Sequence, residues 1–206
     1  MSDDDQRLMA AWREGDKRAG GQLIDRHFAS ILRFFRNKVG SAAEAEELTQ
    51  RTFKGAVEGA QRFRDQSTVR TWLFGIARNV LRQWIEETVR VRGRSGDSGS
   101  ISIADLGIGP STALAQRREQ RVLLEALRRL PIESQLVLEL SFWEQLSARE
   151  IGEVLACPEG TARSRLRKAK FELRAVLDEL EREAGQLEST MQGLETWARE
   201  LRAAWG

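Results

Sequence analysis

Residues 146–170, LSAREIGEVLACPEGTARSRLRKAK, constrain this chain more than any other stretch. Ser147 stands at an N-cap position with Glu150 three residues on, the spacing of a capping box. Leu146, Ile151, Val154 and Leu155 supply a short apolar face. Pro158 then ends the helix, because proline disfavours helical backbone in the residue before it, here Cys157. Glu159 places an acid at a new helix start, where the dipole favours it. From Thr161 to Arg174 six basic residues (Arg163, Arg165, Arg167, Lys168, Lys170, Arg174) face one acid, Glu172. A short helix, a tight turn and a cationic second helix is the geometry that enters a DNA major groove. The candidate contacts are Thr161, Arg163, Ser164, Arg165, Arg167 and Lys168. The competing reading is an ordinary helical hairpin with a solvated basic face, since such patterns are degenerate.

The rest of the chain shows helical periods and no convincing strand alternation, so the expected fold class is all-α. Leu8, Met9, Trp12, Leu23, Ile24, Phe28, Ile31, Leu32 and Phe35 recur three and four apart, with Gly15-Asp16 between two helices. A third helix is expected over about Ala42–Ala60 and a fourth over about Thr71–Arg90. Residues 91–112 lose the period and turn rich in Gly and Ser, the composition of a flexible linker. The expected plan is an N-terminal helical domain at 5–90, the linker at 91–112 and a helix-turn-helix domain at 113–183. A C-terminal amphipathic helical extension at 184–206 completes it.

Composition narrows the chemistry. The formal net charge is only +2, so a nucleic-acid footprint has to come from local clusters. There is one cysteine, Cys157, and one histidine, His27. A lone cysteine forms no internal disulfide, which suits a cytoplasmic location. One His and one Cys make no structural zinc site, and neither common phosphate-binding glycine loop is present. No catalytic residues, metal or cofactor are expected, and the chain reads as a non-enzyme. The acidic start (Asp3, Asp4, Asp5) gives no sign of a secretory leader, and no apolar run approaches the roughly 18 residues of a membrane span.

Two further segments carry candidate contacts. Residues 71–84, TWLFGIARNVLRQW, mix Trp72, Phe74 and Trp84 with Arg78, Asn79, Arg82 and Gln83. Rings that stack on unpaired bases beside cations that hold phosphates suit single-stranded nucleic acid. The same aromatics also suit a helical core. Arg62 and Arg64 would add a second cationic wall. The third helix opens with Glu44, Glu46 and Glu47, favourable there on dipole grounds and also suited to docking a basic partner.

Three motifs in order, EAEELTQRTFKGAVEGAQRF, TWLFGIARNVL and LSAREIGEVLACPEGTARSRLRKAKFEL, separated by a Gly/Ser stretch, closely resemble a bacterial extracytoplasmic-function sigma factor over about residues 7–180. The resemblance implies a promoter-specificity subunit of RNA polymerase that performs no catalysis itself. It implies that the helix around Ala43–Phe53 docks the clamp-helix coiled coil of the polymerase beta-prime subunit, through Glu44, Glu47, Leu48, Gln50, Arg51 and Phe53. Arg51 stands where the family usually carries an acid. It further implies that the 62–70 loop and the 71–84 helix (Arg62, Arg64, Trp72, Arg78, Asn79, Arg82, Gln83) read and open the minus-ten element. The helix from Glu159 would read the minus-thirty-five element, and the linker would thread the polymerase channel. Promoter DNA and core polymerase are the implied partners, with an anti-sigma factor a third that the family leaves open.

Past the family core, an apolar stripe continues through Leu173, Leu177, Leu180, Ala184, Leu187, Met191, Leu194, Ala198, Leu201 and Trp205. Its flanks are mostly acidic, unlike the cationic face of a membrane-surface helix. Packing on the protein's own domains, self-association and a regulator are all open for it. The rival to the sigma-factor reading is a freestanding helix-turn-helix regulator, which needs neither the docking helix nor the aromatic one.

Overall fold

The structure, a computed structural model, describes residues 2–64, 66–91, 101–107 and 118–184. The described residues form an N-terminal unit of α1 (Ser2–Arg13), α2 (Lys17–Arg36), α3 (Ala42–Gly59), a short 3-10 turn (Ala60–Arg62) and α4 (Val69–Val91). A second unit holds α5 (Arg118–Arg129), α6 (Ile132–Phe142), α7 (Ala148–Leu155) and α8 (Glu159–Ala184). The only β feature among them is an isolated bridge between Ser102 and Pro131. The all-α expectation holds, and the third and fourth helices fall within two residues of their expected starts.

Local chemistry sets the helix starts. The Asp16 carboxylate accepts from the Arg18 and Ala19 amides at 2.8 and 3.3 Å and caps α2. The Ser41 hydroxyl accepts from Glu44 N at 3.1 Å, while the Glu44 carboxylate reaches back to Gly40 N and Ser41 Oγ. Ser147 and Glu150 close the full capping box on α7.

Packing joins the two units. One core cluster runs from α1–α4 (Leu23, Phe34, Phe35, Leu48, Leu73, Phe74, Leu81) into α6 and α7 (Leu136, Val137, Leu140, Ile151, Val154, Leu155). A second cluster lies within α5, α6 and α8 (Leu123, Leu127, Leu138, Leu173, Leu177). Helix α6 sits between them, which is why Ser134 through Leu140 are all buried and its apolar residues fall on more than one face.

The linker expectation needs correction at two points. Helix α4 continues to Val91, and residues 101–107 form an ordered turn seated on the second unit. Ala104 N donates to Arg128 O at 2.9 Å and Ile132 N to Ile101 O at 3.0 Å. Asp105 binds the Ser102 amide and hydroxyl at 3.0 and 2.7 Å. Ile103 and Leu106 are fully buried, each contributing about 1.5–3 kcal/mol of apolar burial. Two well-placed apolar side chains outweigh the Gly/Ser composition around them. The C-terminal extension beyond Ala184 lies outside the described residues.

Candidate nucleic-acid and polymerase interfaces

The helix-turn-helix is built as its sequence implies, with one adjustment at the turn. Helix α7 ends at Leu155, and Ala156 takes left-handed backbone (φ 52°) to reverse the chain before Pro158. The return is tight: a Cβ on Gly152 would stand 2.7 Å from the Cys157 carbonyl oxygen, so only glycine fits without movement. Helix α8 turns Ala162, Ala169, Leu173 and Leu177 inward. That phase leaves Arg163, Ser164, Arg167 and Lys168 exposed, with Thr161 and Arg165 half-buried. Arg163 pairs with Glu159, Lys168 with Glu172 at 3.4 Å, and Arg165 reaches Glu133 of α6 at 3.4 Å. These pairs are exposed and individually weak, so phosphate can displace them.

The expected minus-ten residues divide. Arg62, Arg64, Asn79, Arg82 and Gln83 are exposed, and Arg82 lies 3.6 Å from Glu86. Trp72 is half-buried against Phe63, ring centroids 5.2 Å apart, and Phe74 is wholly core. Trp84 is likewise partly packed. Arg78 is half-buried where α4 packs on α7; burial lowers its guanidinium pKa, against the opposing pull of Glu133. The structure thus brings the exposed polar residues of α4 together and turns Arg78 toward the second unit.

On α3 the expected docking set also divides. Glu47 and Gln50 are exposed. Leu48 and Phe53 are buried, at 1% and 6% exposure, and Phe53 stacks on Phe28 at 6.0 Å. They hold α3 to its neighbours and are not surface contacts, a correction to the expectation. Glu44 is engaged in the helix cap. Arg51 lies 3.7 Å from Glu87 of α4, so this departure from the family pattern finds a counter-charge within the chain. The outer face of α3 carries Glu46, Glu47, Gln50, Lys54 and Val57, the last 55% exposed. The i, i+4 run 46–50–54–58 was the available signal for the correct face.

Sequence reasoning missed a buried polar cluster where the two units meet. The Glu144 carboxylate receives Arg33 Nε at 3.1 Å on one oxygen and Arg70 Nη2 at 2.6 Å on the other. Glu139 binds the Lys38 ammonium, Asn37 Nδ2 at 3.4 Å and Gln135 Nε2 at 2.8 Å. Lys38 also donates to Phe34 O at 2.6 Å, and Arg128 Nη1 to Asn37 O at 3.1 Å. Lys38 is wholly buried; desolvation lowers its pKa and Glu139 opposes that shift. Beside the cluster, His27 is buried against Asp5, Nε2 to Oδ2 2.9 Å, and desolvation lowers its pKa from 6.5.

No helix among the described residues is long and apolar enough to cross a membrane. None of their His, Cys, Asp and Glu side chains form a group suited to holding a metal ion.

A helical unit bearing aromatics and cations, coupled to a helix-turn-helix with an outward row of arginines, defines a DNA-binding transcription factor of two-unit design. Comparison with known proteins sharpens that class. Residues 23–91 match the family model for Sigma-70 region 2, and residues 120–173 that for Sigma-70 region 4. The sigma factor SigL of Mycobacterium tuberculosis (strain ATCC 25618 / H37Rv) is 30% identical over 161 residues, covering 77% of this chain and 88% of that protein. The RNA polymerase sigma-H factor of Pseudomonas aeruginosa is 29% identical over 191 residues, 87% of this chain and 97% of the relative. The fold of CnrH, solved with the cytosolic domain of CnrY, superposes with a TM-score of 0.63 at 23% identity, covering 85% of this chain and 98% of CnrH. The sigma factor RpoE of Bartonella quintana, solved with the anti-sigma factor NepR, gives 0.57 at 22% identity, covering 77% and 96%.

The chain belongs to the extracytoplasmic-function RNA polymerase sigma factors. It is a promoter-specificity factor: such proteins bind core RNA polymerase and promoter DNA and direct transcription initiation. Both regions present in family order favour this over a freestanding helix-turn-helix regulator.

Proposed function

We propose that this sigma factor reads the minus-thirty-five element with α8, the minus-ten element with α4 and the 62–70 loop, and docks polymerase with the outer face of α3. The observation that carries this is the phase of α8: Ala162, Ala169 and Leu173 face the core, so Arg163, Arg167 and Lys168 face out along one edge. Arg163, Ser164 and Arg165 lie in the first turns, where a recognition helix reaches base edges. Arg167 and Lys168 lie further along, toward the phosphates. On α4 the single-strand contacts are Asn79, Arg82 and Gln83, with Arg62 and Arg64 beside them. On α3 the polymerase contacts are Glu47 and Gln50, with Arg51 at the edge. The protein works in the cytoplasm with polymerase, and its neighbours' complexes support an anti-sigma protein as a further partner.

The test is transcription in vitro with core polymerase and a genomic promoter pool. Wild-type protein is expected to start transcripts at a discrete promoter set. Arg163→Ala and Arg165→Ala are expected to shift or lose that set while core polymerase is still bound. Initiation with unaltered promoter choice in both variants overturns the assignment of α8.

A further inference from the structure

The buried junction between the two units holds an arrangement that the promoter reading leaves unused. Arg33, from the last turn of α2, and Arg70, from the first turn of α4, converge on the two oxygens of one carboxylate, Glu144. Two guanidiniums aimed at one point repel each other unless an anion sits between them, so they form a clamp for a planar, two-oxygen anion. Lys38 and Asn37 extend the same edge of the N-terminal unit, where Glu139 answers them. Both carboxylates come from the second unit, and the three cations bonded to them, Arg33, Arg70 and Lys38, come from the first. The two acids lie on or just past α6, five residues apart; within the second unit Glu139 also accepts from the Gln135 amide and lies within electrostatic reach of Arg128 on α5.

We propose that Arg33 and Arg70 form a binding site for a backbone phosphate of DNA, and that Glu144 occupies this site as an internal substitute when the second unit is docked. The inference rests on the proposed promoter function and adds a site to it. Arg70 closes the 62–70 segment assigned to the minus-ten element and lies in the first turn of α4, so a strand lying along α4 passes the clamp. A phosphate offers the guanidinium pair two oxygens much as the carboxylate does, with more charge. The closed form also half-buries Arg78, near Glu133 and Arg165 of the second unit, so the docked second unit withholds both the clamp and part of the proposed minus-ten helix. Burial makes such a contact switchable. The desolvation of three cations and two carboxylates offsets much of their attraction, so these ion pairs add little net free energy to the balance between closed and open forms. An anion that binds only the open form shifts that balance by its own affinity.

The experiment uses the full chain, checked for fold by circular dichroism, with two readouts. One is compactness by small-angle scattering. The other is binding of a fluorescein-labelled oligothymidylate by anisotropy. Glu144→Gln keeps the shape and removes the charge; it is expected to expand the particle and tighten oligonucleotide binding on the order of tenfold, as the competent fraction rises. Glu139→Gln leaves the clamp untouched and is expected to act in the same direction, which keeps the test sound if the first variant does not fold. Arg70→Gln, at a side chain 30% exposed, is expected to expand the particle without tightening binding. Placed in the Glu144→Gln background, it is expected to weaken binding and lower the log–log salt slope by about 0.7, the loss of one single-strand phosphate contact. An unchanged scattering profile in both Gln variants of the acids overturns the closure. Equal oligonucleotide affinity and slope with and without Arg70, in the opened protein, overturns the phosphate site. Wild-type initiation with core polymerase is measured alongside: its failure sinks the promoter reading, whereas its success with either negative result above sinks only the clamp.

Discussion

Helices α8 and α4 carry similar chemistry, cations with hydroxyl or amide partners, yet expose it differently. Helix α8 owns a core on one side: Ala169, Leu173 and Leu177 pack on α5 and α6, and the opposite edge is left open. Helix α4 is buried on two faces, Val69-Leu73-Ala77-Val80 and Phe74-Leu81-Ile85, and Arg78 is half-buried near Glu133 and Arg165 of the second unit. A helix with one buried stripe displays a full row of side chains. A helix wedged between neighbours keeps only a strip, here Asn79, Arg82, Gln83 and Glu86. The surface proposed for the minus-thirty-five element is therefore exposed in this structure, whereas the one proposed for the minus-ten element is partly covered by the second unit.

The strongest way to break this contrast is to remove the core that belongs to α8. Leu173→Ala is expected to destabilise by about 2–5 kcal/mol, the usual cost of a cavity at a wholly buried leucine, in a denaturant titration. If α8 owed its order to α4 instead, the loss would be far smaller. A sharper probe pairs Arg167→Ala with Arg78→Ala. In the free protein Arg167→Ala is expected to weaken duplex binding and flatten the log–log salt slope by about 0.9, while Arg78→Ala changes neither. In the holoenzyme both are expected to reduce open-complex formation. Equal effects of the two on the free protein would erase the distinction between a ready and a covered surface. Next in size is Ser147→Ala, which removes the α7 cap and is expected to cost about 1 kcal/mol by thermal or chemical unfolding.

The smallest expected effect concerns His27, on the α2 side of the junction. Its pKa is lowered from 6.5 because desolvation exceeds the help of Asp5. The unfolded chain then takes up the proton first as pH falls, so the contribution of neutral His27 is complete above about 6.5 and is lost as pH drops below it. His27→Gln is expected to flatten the stability profile over that range, measured by urea titrations at several pH values. An unchanged profile would move the acid sensitivity of the N-terminal unit elsewhere.

What the sequence made legible was local. Ser147 was read as the cap of the helix it precedes because an N-cap acts on amides two or three residues away; Asp16 and Ser41, read only as breaks between helices, cap α2 and α3 by the same local rule. The cationic character of α8 was legible from six basic residues between Arg163 and Arg174, and its inner stripe at Leu173 and Leu177 from their spacing; Ala162 and Ala169 complete that stripe in the structure. The junction was not, because each of its ion pairs joins residues far apart in the chain: 111 positions for Arg33–Glu144 and 101 for Lys38–Glu139. Each of those residues, read alone, resembles a surface charge. On α3, Leu48 and Phe53 were read as contacts because they match a family pattern, yet the same apolar character buries them. The seat of Ile103 and Leu106 was hidden by the averaging of a segment otherwise rich in Gly and Ser.

That seat also resets the length of chain between the two units. With residues 101–107 bonded to the backbone at Arg128 and Ile132, the stretch joining α4 to the second unit shrinks from residues 91–112 to residues 92–100. Even fully extended, such a stretch reaches at most about 35 Å. A tether that short holds its two ends at an effective concentration on the order of millimolar. A junction of only millimolar intrinsic affinity, about 4 kcal/mol, therefore suffices to keep half the molecules docked. Doubling the tether would weaken docking by only about 0.6 kcal/mol. The small turn at 101–107 thus acts as a setting on the local concentration of one unit at the other.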